Sequence, residues 1–523
     1  MNVATKLGSK QFTLLEESPT DASEELRALH TPELVIALCG PIGSPLHEVA
    51  ASAEDMLISK FGYTKVEIIR LSTFISAYAV KNRTPIAESG VDRFKDLIKL
   101  GNEMRDAHGK EILAKLAINR IATTRAALAE DQSADAEKGS ISPLKAATRP
   151  IRVAHIIDSI KNQSELEILR LVYGELLYTV GVYAPVSLRE ATLKKQMSDV
   201  EMSALIDRDS GEEKESGQTV RQTFPFSDYF LRIESRTTSE IEERVERFLT
   251  LILASKPLTP SVHEMAMYAA ASAAAHSACL SRQVGATVTT ADGTLIASGW
   301  NDVPRYGGGL YISADDANLD LRCWNRDGGK CVNDEEKDGL AQRVSKILLE
   351  EGLVEASKVE SVTRHLRQST GLKDLIEFSR AIHAEMHALL RALPLGGEQV
   401  KGGRIYVTTY PCHSCARHII AAGIKDVYFI EPYRKSLAVK LHDDAMTEDE
   451  TEQGKVILRQ YDGVAPRRFL ALYKTNTDRK KDGKLIRANP QLTKPAVKFS
   501  LEAIPRLEAM VVERLDLAQF STR

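Results

Sequence analysis

Two short motifs in the last third of the chain constrain its fold more than any other feature. His383 is followed two positions later by Glu385, and Pro411 is followed directly by the C-x-x-C pair Cys412 and Cys415. One imidazole and two thiolates can fill three tetrahedral positions around Zn²⁺ and leave the fourth for water. A zinc ion bound in this way lowers the pKa of that water toward neutrality. The fold must therefore bring the two motifs together at one site.

The residues around the motifs predict the elements that carry them. Apolar side chains recur at helical spacing around the histidine, at Ile382, Met386, Leu389, Leu390 and Leu393. Residues 404–410 are rich in β-branched and aromatic side chains, which predicts a strand. Pro411 suits the first turn of the next helix. Cys412 and Cys415 would then share one face near the positive end of that helix, where thiolates are favoured.

The combined pattern H-x-E…P-C-x-x-C is typical of the zinc nucleobase deaminases, in which a glutamate that is not a ligand moves protons. His383, Cys412 and Cys415 are thus the predicted zinc ligands, and Glu385 is the predicted catalytic acid and base. A lone C-x-x-C could instead be a redox pair or half of a structural zinc site. A zinc protease requires H-E-x-x-H, whereas this chain has H-A-E-M-H, so His387 is predicted to be a packed histidine.

Segments on either side of the motifs resemble the deoxycytidylate deaminase family. An alanine-rich helix at 265–279 is followed by a strand over 281–288, a turn, and a second strand that ends at 298–301. The shared runs are V-G-A, G-W-N, H-A-E, T-T-Y-P-C-x-x-C-A, A-G-I and the late G-V-A-P-R. The resemblance implies a C-terminal cytidine-deaminase-like α/β/α domain.

The same resemblance implies a substrate pocket. It assigns Asn301 to a sugar hydroxyl of the substrate, and it assigns Val284, Gly285 and Ala286 to the base pocket. Tyr410, directly before the P-C pair, is expected to pack near the base. Strand packing alone is the alternative for Gly285 and Ala286. Candidate partners for substrate phosphates are Arg282, Arg434 and Lys435.

The chain departs from a plain deoxycytidylate deaminase by an insertion at about 302–376, which is longer than a simple loop requires. The insertion contains a predicted helix at 341–354 and two cysteines. Cys323 and Cys331, together with His365, are candidate ligands of a second, structural zinc. The alternative is two small thiols that bind no metal.

The N-terminal half begins with an apolar run over 33–39, a turn that contains Gly40, Gly43 and Ser44, and a helical pattern over 46–59. Strand, glycine-rich turn and helix are typical of a phosphate-binding loop. The full motif is G-x-x-x-x-G-K-[ST], and here the lysine and the hydroxyl positions hold Leu46 and His47. Segments at 153–160, 224–231 and 239–253 resemble later strands and helices of nucleotide kinases. The predicted fold is therefore α/β, with an N-terminal P-loop nucleotide-kinase-like domain whose phosphate loop is degenerate.

Two prolines near 255–260 predict the boundary between a first domain at 1–255 and a deaminase domain at 256–523, which ends in a C-terminal extension with a helix at 505–517. The combination resembles the bacterial anti-phage dCTP deaminases. That resemblance implies deamination of dCTP, with dCMP as the other candidate substrate, and depletion of dCTP during infection. It also implies a homo-oligomer and an inhibitory small noncoding RNA as a partner.

Composition bears on the predicted location of the protein and on the partners that it can bind. The 523 residues contain no apolar run long enough for a membrane span, and the six scattered cysteines fit a reducing cytoplasm. A net charge of −3 offers no general attraction to nucleic acid, so DNA is not an expected partner. Two alternatives stay open, a deaminase of tRNA or single-stranded nucleic acid, and a nucleotide- or RNA-sensing switch.

Overall fold

The structure is a computed structural model that describes residues 30–134, 151–194, 198, 219–313, 317–326, 328–432, 436–474, 479–498, 500–501 and 503–520. Its elements are arranged around two six-stranded sheets. The predicted α/β class is therefore confirmed. No helix within the described ranges is both long enough and apolar enough to cross a membrane.

The first sheet is built from five parallel strands of the N-terminal half. These strands are β1 (Leu34–Cys39), β2 (Lys65–Arg70), β3 (Val153–Ile160), β4 (Leu177–Tyr183) and β5 (Tyr229–Arg232). They lie in the order β5-β4-β1-β3-β2. All six residues of the central strand β1 are buried, as expected for a parallel strand covered on both faces.

Helices cover both faces of this sheet. In the first half they are α1 (Leu46–Ser59), α2 (Leu71–Lys81), α3 (Gly90–His108), α4 (Ile112–Ala134), α5 (Gln163–Tyr173), α6 (Val186–Leu193), α7 (Val220–Thr223) and α8 (Thr238–Ile252). One apolar core lies under α1 and α8, and the other lies under α2, α4 and α5. Helices α1 and α8 each contribute one apolar face to the first core, which is the usual origin of amphipathic periodicity.

The second sheet carries the predicted metal motifs. Its strands are β6 (Gly285–Thr289), β7 (Leu295–Trp300), β8 (Arg404–Thr409), β9 (Asp426–Glu431), β10 (Met446–Thr447) and β11 (Val456–Gln460), in the order β10-β11-β9-β8-β6-β7. The hairpin of β6 and β7 is antiparallel, and β6 also pairs antiparallel with β8. From β8 onward the strands are parallel. The carboxyl ends of β8 and β9 therefore meet at one edge of the sheet.

Helices of the second half are α9 (Val262–Ala274), α10 (Val332–Glu350), α11 (Val359–Ser369), α12 (Ala384–Val400), α13 (His413–Ala421), α14 (Ala438–Leu441), α15 (Phe469–Tyr473) and α16 (Ile504–Val512). Helices α12 and α13 share an apolar core with one face of the second sheet. Helix α9 packs on β6, β7 and β8 and contributes to a separate core that also contains residues of the first sheet.

The C-terminal part of the chain returns to the first sheet. Strand β12 (Gly463–Val464) pairs antiparallel with β5 and becomes its edge strand. Helix α16 packs on α4, and its residue Glu508 forms a buried ion pair with Arg125. The extension therefore belongs to the core of the N-terminal half, although the predicted division assigned it to the deaminase domain. A short exposed hairpin, β13 (Lys480–Lys481) and β14 (Lys484–Leu485), lies between these two contacts.

Several predicted elements differ in extent from those observed, and the predicted C-terminal helix at 505–517 is observed at Ile504–Val512. Helix α9 ends at Ala274 and not at 279, because the Ser277 hydroxyl and the Asp302 carboxylate bind the backbone amides of Cys279 and Ala278. Residues 224–226 form a 3₁₀ turn, so the strand predicted at 224–231 is confined to β5. Helix α10 begins earlier and ends earlier than the predicted 341–354.

Candidate active site

Three side chains of metal-ligand type converge where α12 and α13 begin. His383 is the N-cap of α12, Cys412 is the N-cap of α13, and Cys415 lies in the first turn of α13. The His383 Nδ1 atom lies 3.3 Å from the Sγ atom of each cysteine. Ligands at tetrahedral corners around zinc, with Zn–S about 2.3 Å and Zn–N about 2.0 Å, lie roughly 3.5 Å apart. The chemistry and spacing of these donors therefore fit one zinc ion.

Helix α13 begins two residues after Pro411, so the proline precedes the helix and does not occupy its first turn as predicted. This shift leaves Cys412 at the cap position, where its backbone is extended and its Sγ reaches His383. Both cysteines lie at the positive end of α13, which favours a thiolate.

Hydrogen bonding within the cluster shifts the pKa values of the two thiols in opposite directions. Cys415 hydrogen-bonds to Cys412 and His383 adds a second interaction, so the pKa of Cys412 is lowered to about 4. The same hydrogen bond and burial raise the pKa of Cys415 well above its usual value. The pair therefore already favours one thiolate at neutral pH, and zinc ligation favours deprotonation of both.

Glu385 lies in the first turn of α12 with its side chain almost fully inside the protein, at 5% exposure. Burial raises the pKa of its carboxyl group, and the neighbouring His383 opposes that rise. A carboxyl group with a raised pKa can hold and release a proton near neutral pH, which is the property required of a general acid and base.

A cavity of about 410 Å³ opens at this cluster. His383, Glu385 and Cys412 line it, and so do three of the predicted substrate residues, namely Val284, Asn301 and Tyr410. The volume is within the range of pockets that hold small-molecule ligands. The structure therefore brings together the metal motifs and part of the predicted substrate pocket.

Two of the predicted pocket residues do not line this cavity. A Cβ atom on Gly285 would lie 1.9 Å from the carbonyl oxygen of Ala270, so Gly285 is where β6 crosses α9. Ala286 is fully buried in the core beneath α12. Both residues support the pocket through packing, which was the alternative considered for them.

Asn301 holds the backbone that forms one wall of the cavity. Its Oδ1 atom accepts a hydrogen bond from the Val284 amide at 2.7 Å, and its Nδ2 atom donates to the Arg282 carbonyl at 2.8 Å. An amide side chain has two donor hydrogens and two acceptor lone pairs. One donor and one acceptor of Asn301 are thus used by the wall, and one of each can serve a ligand.

Tyr410 lies between the metal cluster and the contact with the first sheet. Its hydroxyl donates to Glu448 Oε1 at 2.7 Å, and its ring packs edge-on against Phe429 with the centroids 4.8 Å apart. Burial and the Glu448 carboxylate raise the pKa of Tyr410, so the phenol stays protonated. The Tyr410 side chain therefore has a fixed position in the wall of the cavity.

Arginines form part of the rim of the cavity. Arg282, on the wall held by Asn301, forms an ion pair with Glu431 at the end of β9. Arg221 of α7 also lines the cavity, although it comes from the first half of the chain. No periodicity or motif in the sequence marks Arg221, because only tertiary packing brings it here. The other predicted phosphate partners, Arg434 and Lys435, lie outside the described residues.

The remaining histidines of the motifs lie apart from the cluster. His387 is buried against Trp300, with its Nδ1 atom 3.1 Å from the Trp300 carbonyl oxygen and the two rings nearly perpendicular. His413 Nε2 lies 3.5 Å from Glu377 at the mouth of the cavity. Among the described residues, the group of potential ligands that meets within 4.8 Å consists of His383, Cys412 and Cys415.

The candidate second zinc site is less compact. Cys323 and Cys331 line a small cavity together with Cys279, and the Cys331 Sγ atom lies 3.7 Å from the Ser281 hydroxyl. His365, on α11, does not line that cavity. The described residues therefore bring the two cysteines near each other without the predicted histidine.

The glycine-rich turn after β1 is held through its carbonyl groups. Lys161 donates from Nζ to the Gly40 carbonyl oxygen at 2.9 Å, and Gly43 has a φ of +84°. The amide of Ser44 donates to the Pro41 carbonyl at 3.1 Å and closes the turn on itself. A phosphate-binding loop instead directs free amides at the anion. His47, at the position of the missing hydroxyl, pairs with Asp158 at the end of β3.

Comparison with known proteins agrees with the metal motifs. Residues 260–431 match the family model described as the cytidine and deoxycytidylate deaminase zinc-binding region. The ComE operon protein 2 of Bacillus subtilis is 42% identical over 82 residues, which are 15% of this chain and 43% of that protein. The deoxycytidylate deaminase of Enterobacteria phage T4 is 27% identical over 162 residues, or 31% of this chain and 72% of the phage enzyme.

The deoxycytidylate deaminase of Mus musculus is 34% identical over 91 residues, which are 17% of this chain and 43% of that protein. The chain thus spans less than half the length of the Bacillus and mouse relatives. A solved structure of dCMP deaminase from the cyanophage S-TIM5, in complex with dCMP and dUMP, aligns with 20% identity and a TM-score of 0.23 over 39% of this chain and 98% of that one. Residues 260–431 of this chain are thus similar to the zinc-binding region of the cytidine and deoxycytidylate deaminases.

Proposed function

We propose that the chain catalyses the hydrolytic deamination of deoxycytidine nucleotides to deoxyuridine nucleotides. The observation that carries the proposal is the buried carboxyl group of Glu385, adjacent to the His383, Cys412 and Cys415 cluster in one cavity. The deoxycytidylate deaminases among the relatives support a pyrimidine nucleotide as the substrate.

His383, Cys412 and Cys415 would hold the zinc ion, and the ion supplies the Lewis acidity that makes water a nucleophile near neutral pH. Glu385 takes a proton from the attacking water and delivers it to N3 of the cytosine. The carboxyl group then transfers the second water proton to the departing amino group. Water and the cytosine ring are consumed, and a uracil ring and ammonia are formed, with Glu385 returned to its starting state.

The test is chromatographic product analysis of zinc-loaded protein with dCTP, dCMP and CTP. Glu385→Gln should retain zinc and lose turnover by about 10²- to 10⁴-fold, because the carboxyl group acts on protons and is not a ligand. Glu398→Gln on the same helix, in a part of α12 remote from the cavity, is the matched control. Undiminished turnover in Glu385→Gln would refute the mechanism.

Within this proposal the preferred substrate is dCTP, and its conversion serves anti-phage defence. The support is the resemblance to the bacterial anti-phage dCTP deaminases and the arginines at the rim of the cavity, which suit a polyphosphate. The competing substrate is dCMP. Equal catalytic efficiency with both nucleotides would contradict the preference for dCTP. Phage protection that survives Glu385→Gln would contradict the role of deamination in defence.

For the first half we propose a P-loop kinase-like fold that no longer transfers phosphate. The central position of β1, with β3 and β4 on either side, supports the fold. The closed turn at Gly40 and Ser44 and the absence of the motif lysine argue against phosphotransfer. Kinase activity on a deoxynucleotide monophosphate with Mg·ATP would contradict the proposed loss of phosphate transfer.

We also propose that the protein forms a homo-oligomer and binds an inhibitory small RNA. Both proposals rest on its resemblance to the bacterial anti-phage dCTP deaminases. Sedimentation in the presence and absence of RNA tests both. The alternative substrate, a tRNA or single-stranded nucleic acid, predicts binding that weakens steeply with salt, since each phosphate contact releases counterions. A salt-insensitive free-nucleotide reaction would exclude it.

A further inference from the structure

Among the described residues that line the active-site cavity, Arg221 is contributed by the first half of the chain and lies outside the matched region 260–431. We propose that Arg221 binds the 5′-phosphate of the nucleotide substrate, so that the first half supplies the residue that distinguishes a nucleotide from a nucleoside. This inference rests on the proposed deaminase function and deepens it. The catalytic cluster would act on the base while Arg221 recognises the opposite end of the substrate.

The backbone that carries Arg221 is fixed by a core shared between the two sheets. Val220, its neighbour in α7, is 3% exposed and packs in the cluster that joins Phe230 of the first sheet to Tyr406 of the second. The amide of Thr219 donates to the Lys161 carbonyl at 2.8 Å. A residue anchored in this way loses little freedom when it meets a ligand, because its main chain is already ordered.

The guanidinium group of Arg221 is half-buried and held at the end of β9. Its Nε atom donates to the carbonyl oxygen of Pro432 at 3.1 Å. Arg282 pairs with Glu431, the residue immediately before Pro432. The two guanidinium groups therefore bind consecutive residues of the chain, and both arginines line the cavity.

Two arginine side chains line this part of the cavity. Arg282 pairs with the Glu431 carboxylate, and Arg221 donates to the Pro432 carbonyl. Asp374 is a further carboxylate of the lining and belongs to the insertion. Arginine binds phosphate through paired N–H groups and keeps its charge at every physiological pH, so a nucleotide phosphate matches this position.

The competing explanation is that Arg221 only braces Pro432. If Arg221 only held Pro432 in place, its replacement would weaken the binding of every ligand equally, since it would act through the shape of the cavity and not through its charge. A phosphate contact would affect nucleotides and spare nucleosides. The two explanations therefore differ in the ratio of nucleotide to nucleoside binding.

The experiment measures dissociation constants of zinc-loaded full-length protein for dUMP, dUTP and deoxyuridine by calorimetry, with competition titration for the weakest ligand. Arg221→Gln should weaken dUMP and dUTP by about tenfold or more and leave deoxyuridine within about twofold. Arg221→Lys should recover part of the loss, because it keeps the charge without the planar fork. Arg364→Gln, an exposed arginine of α11 that pairs with Glu360, is the matched control.

Each outcome decides the proposal. Equal weakening of deoxyuridine and dUMP in Arg221→Gln would assign a bracing role and overturn it, as would unchanged binding of dUMP. Melting temperature and zinc content identify a variant that fails to fold, and Arg221→Lys then provides the comparison. Failure of the deaminase function itself would appear in the wild-type protein, as the absence of any nucleotide deamination, and is thereby distinguishable.

Discussion

The carboxylate of Glu264 accepts a hydrogen bond from the backbone amide of Val464 at 2.9 Å, which joins helix α9 to strand β12. The other oxygen of the same carboxylate accepts from the Ser261 amide and from Arg247 of α8, both at 2.7 Å. Glu264 is 1% exposed. One buried carboxylate thus connects the helix that opens the deaminase region to two elements of the first sheet.

Replacing Glu264 should destabilise the whole chain. In Glu264→Ala the guanidinium group of Arg247 loses its carboxylate partner and two backbone amides lose their acceptor, so we expect a loss of about 3–5 kcal/mol. Urea unfolding followed by fluorescence measures the change. Glu243→Gln, on the exposed face of α8, should change stability by less than about 0.5 kcal/mol. A Glu264→Ala protein as stable as the control would show that the contact between the halves does not depend on this carboxylate.

The amount of zinc bound by the protein should depend on the ligands of the two metal motifs. Cys415→Ser removes one of three ligands, so the bound zinc should fall to near zero and the melting temperature should drop, because metal binding is coupled to local folding. Cys323→Ser should retain the catalytic ion. Metal analysis of purified protein measures both. Two zinc ions in the wild-type protein and one in Cys323→Ser would establish the second site, whereas full zinc content in Cys415→Ser would refute the predicted ligands.

Gly285→Ala tests whether this residue acts through packing. The added Cβ atom would lie 1.9 Å from the Ala270 carbonyl, so β6 and α9 must separate and the free energy of unfolding should fall by about 3 kcal/mol or more. Gly371 has open space around its Cα, and Gly371→Ala should be nearly neutral. Thermal unfolding compares the two variants. Normal stability combined with lost substrate binding would instead return Gly285 to the base pocket.

Glu67 should make the first sheet sensitive to acid. Burial raises the pKa of its carboxyl group, but the nearby His155 ring and hydrogen bonds from Thr124 and Arg120 outweigh burial and lower the pKa from 4.5 to about 2. Because the folded pKa is below the unfolded value, the stabilisation is complete above 4.5 and is lost as pH falls toward 2.

Comparison of wild-type protein with Glu67→Gln isolates this contribution. The wild type should be more stable by about 1–2 kcal/mol at neutral pH, and the difference should shrink steadily as the pH falls below about 4.5. Urea midpoints measured across that range provide the curve. A difference that is independent of pH would show that the carboxylate is not the group responsible.

The helices were predictable wherever one apolar face repeats over several turns. Helix α1 was predicted at 46–59 and is observed at Leu46–Ser59, and α8 was predicted to within one residue at each end. Cores under these helices contain the apolar residues that produce the periodicity. The metal ligands were predictable for a different reason, since the zinc chemistry restricts both residue type and spacing.

Other features depend on contacts between distant segments and leave no local pattern. The end of α9 is set by Asp302, which competes for a backbone amide that would otherwise continue the helix. Strand β12 is two residues long and pairs only because β5 offers an open edge. Arg221 lies in a four-residue helix, where periodicity carries no information, so its arrival at the cavity could not be anticipated.

Strand β12 and helix α16 have a consequence for the order in which the protein can be made. Strands β1 to β5 of the first sheet are synthesised well before its edge strand β12 and before Glu508, the partner of Arg125. Until residue 508 has left the ribosome, Arg125 lacks one of its two buried carboxylates and β5 has an unpaired edge. The first sheet of a nascent chain should therefore remain a target for chaperones and proteases until residue 508 has emerged, and products truncated before that residue should be degraded.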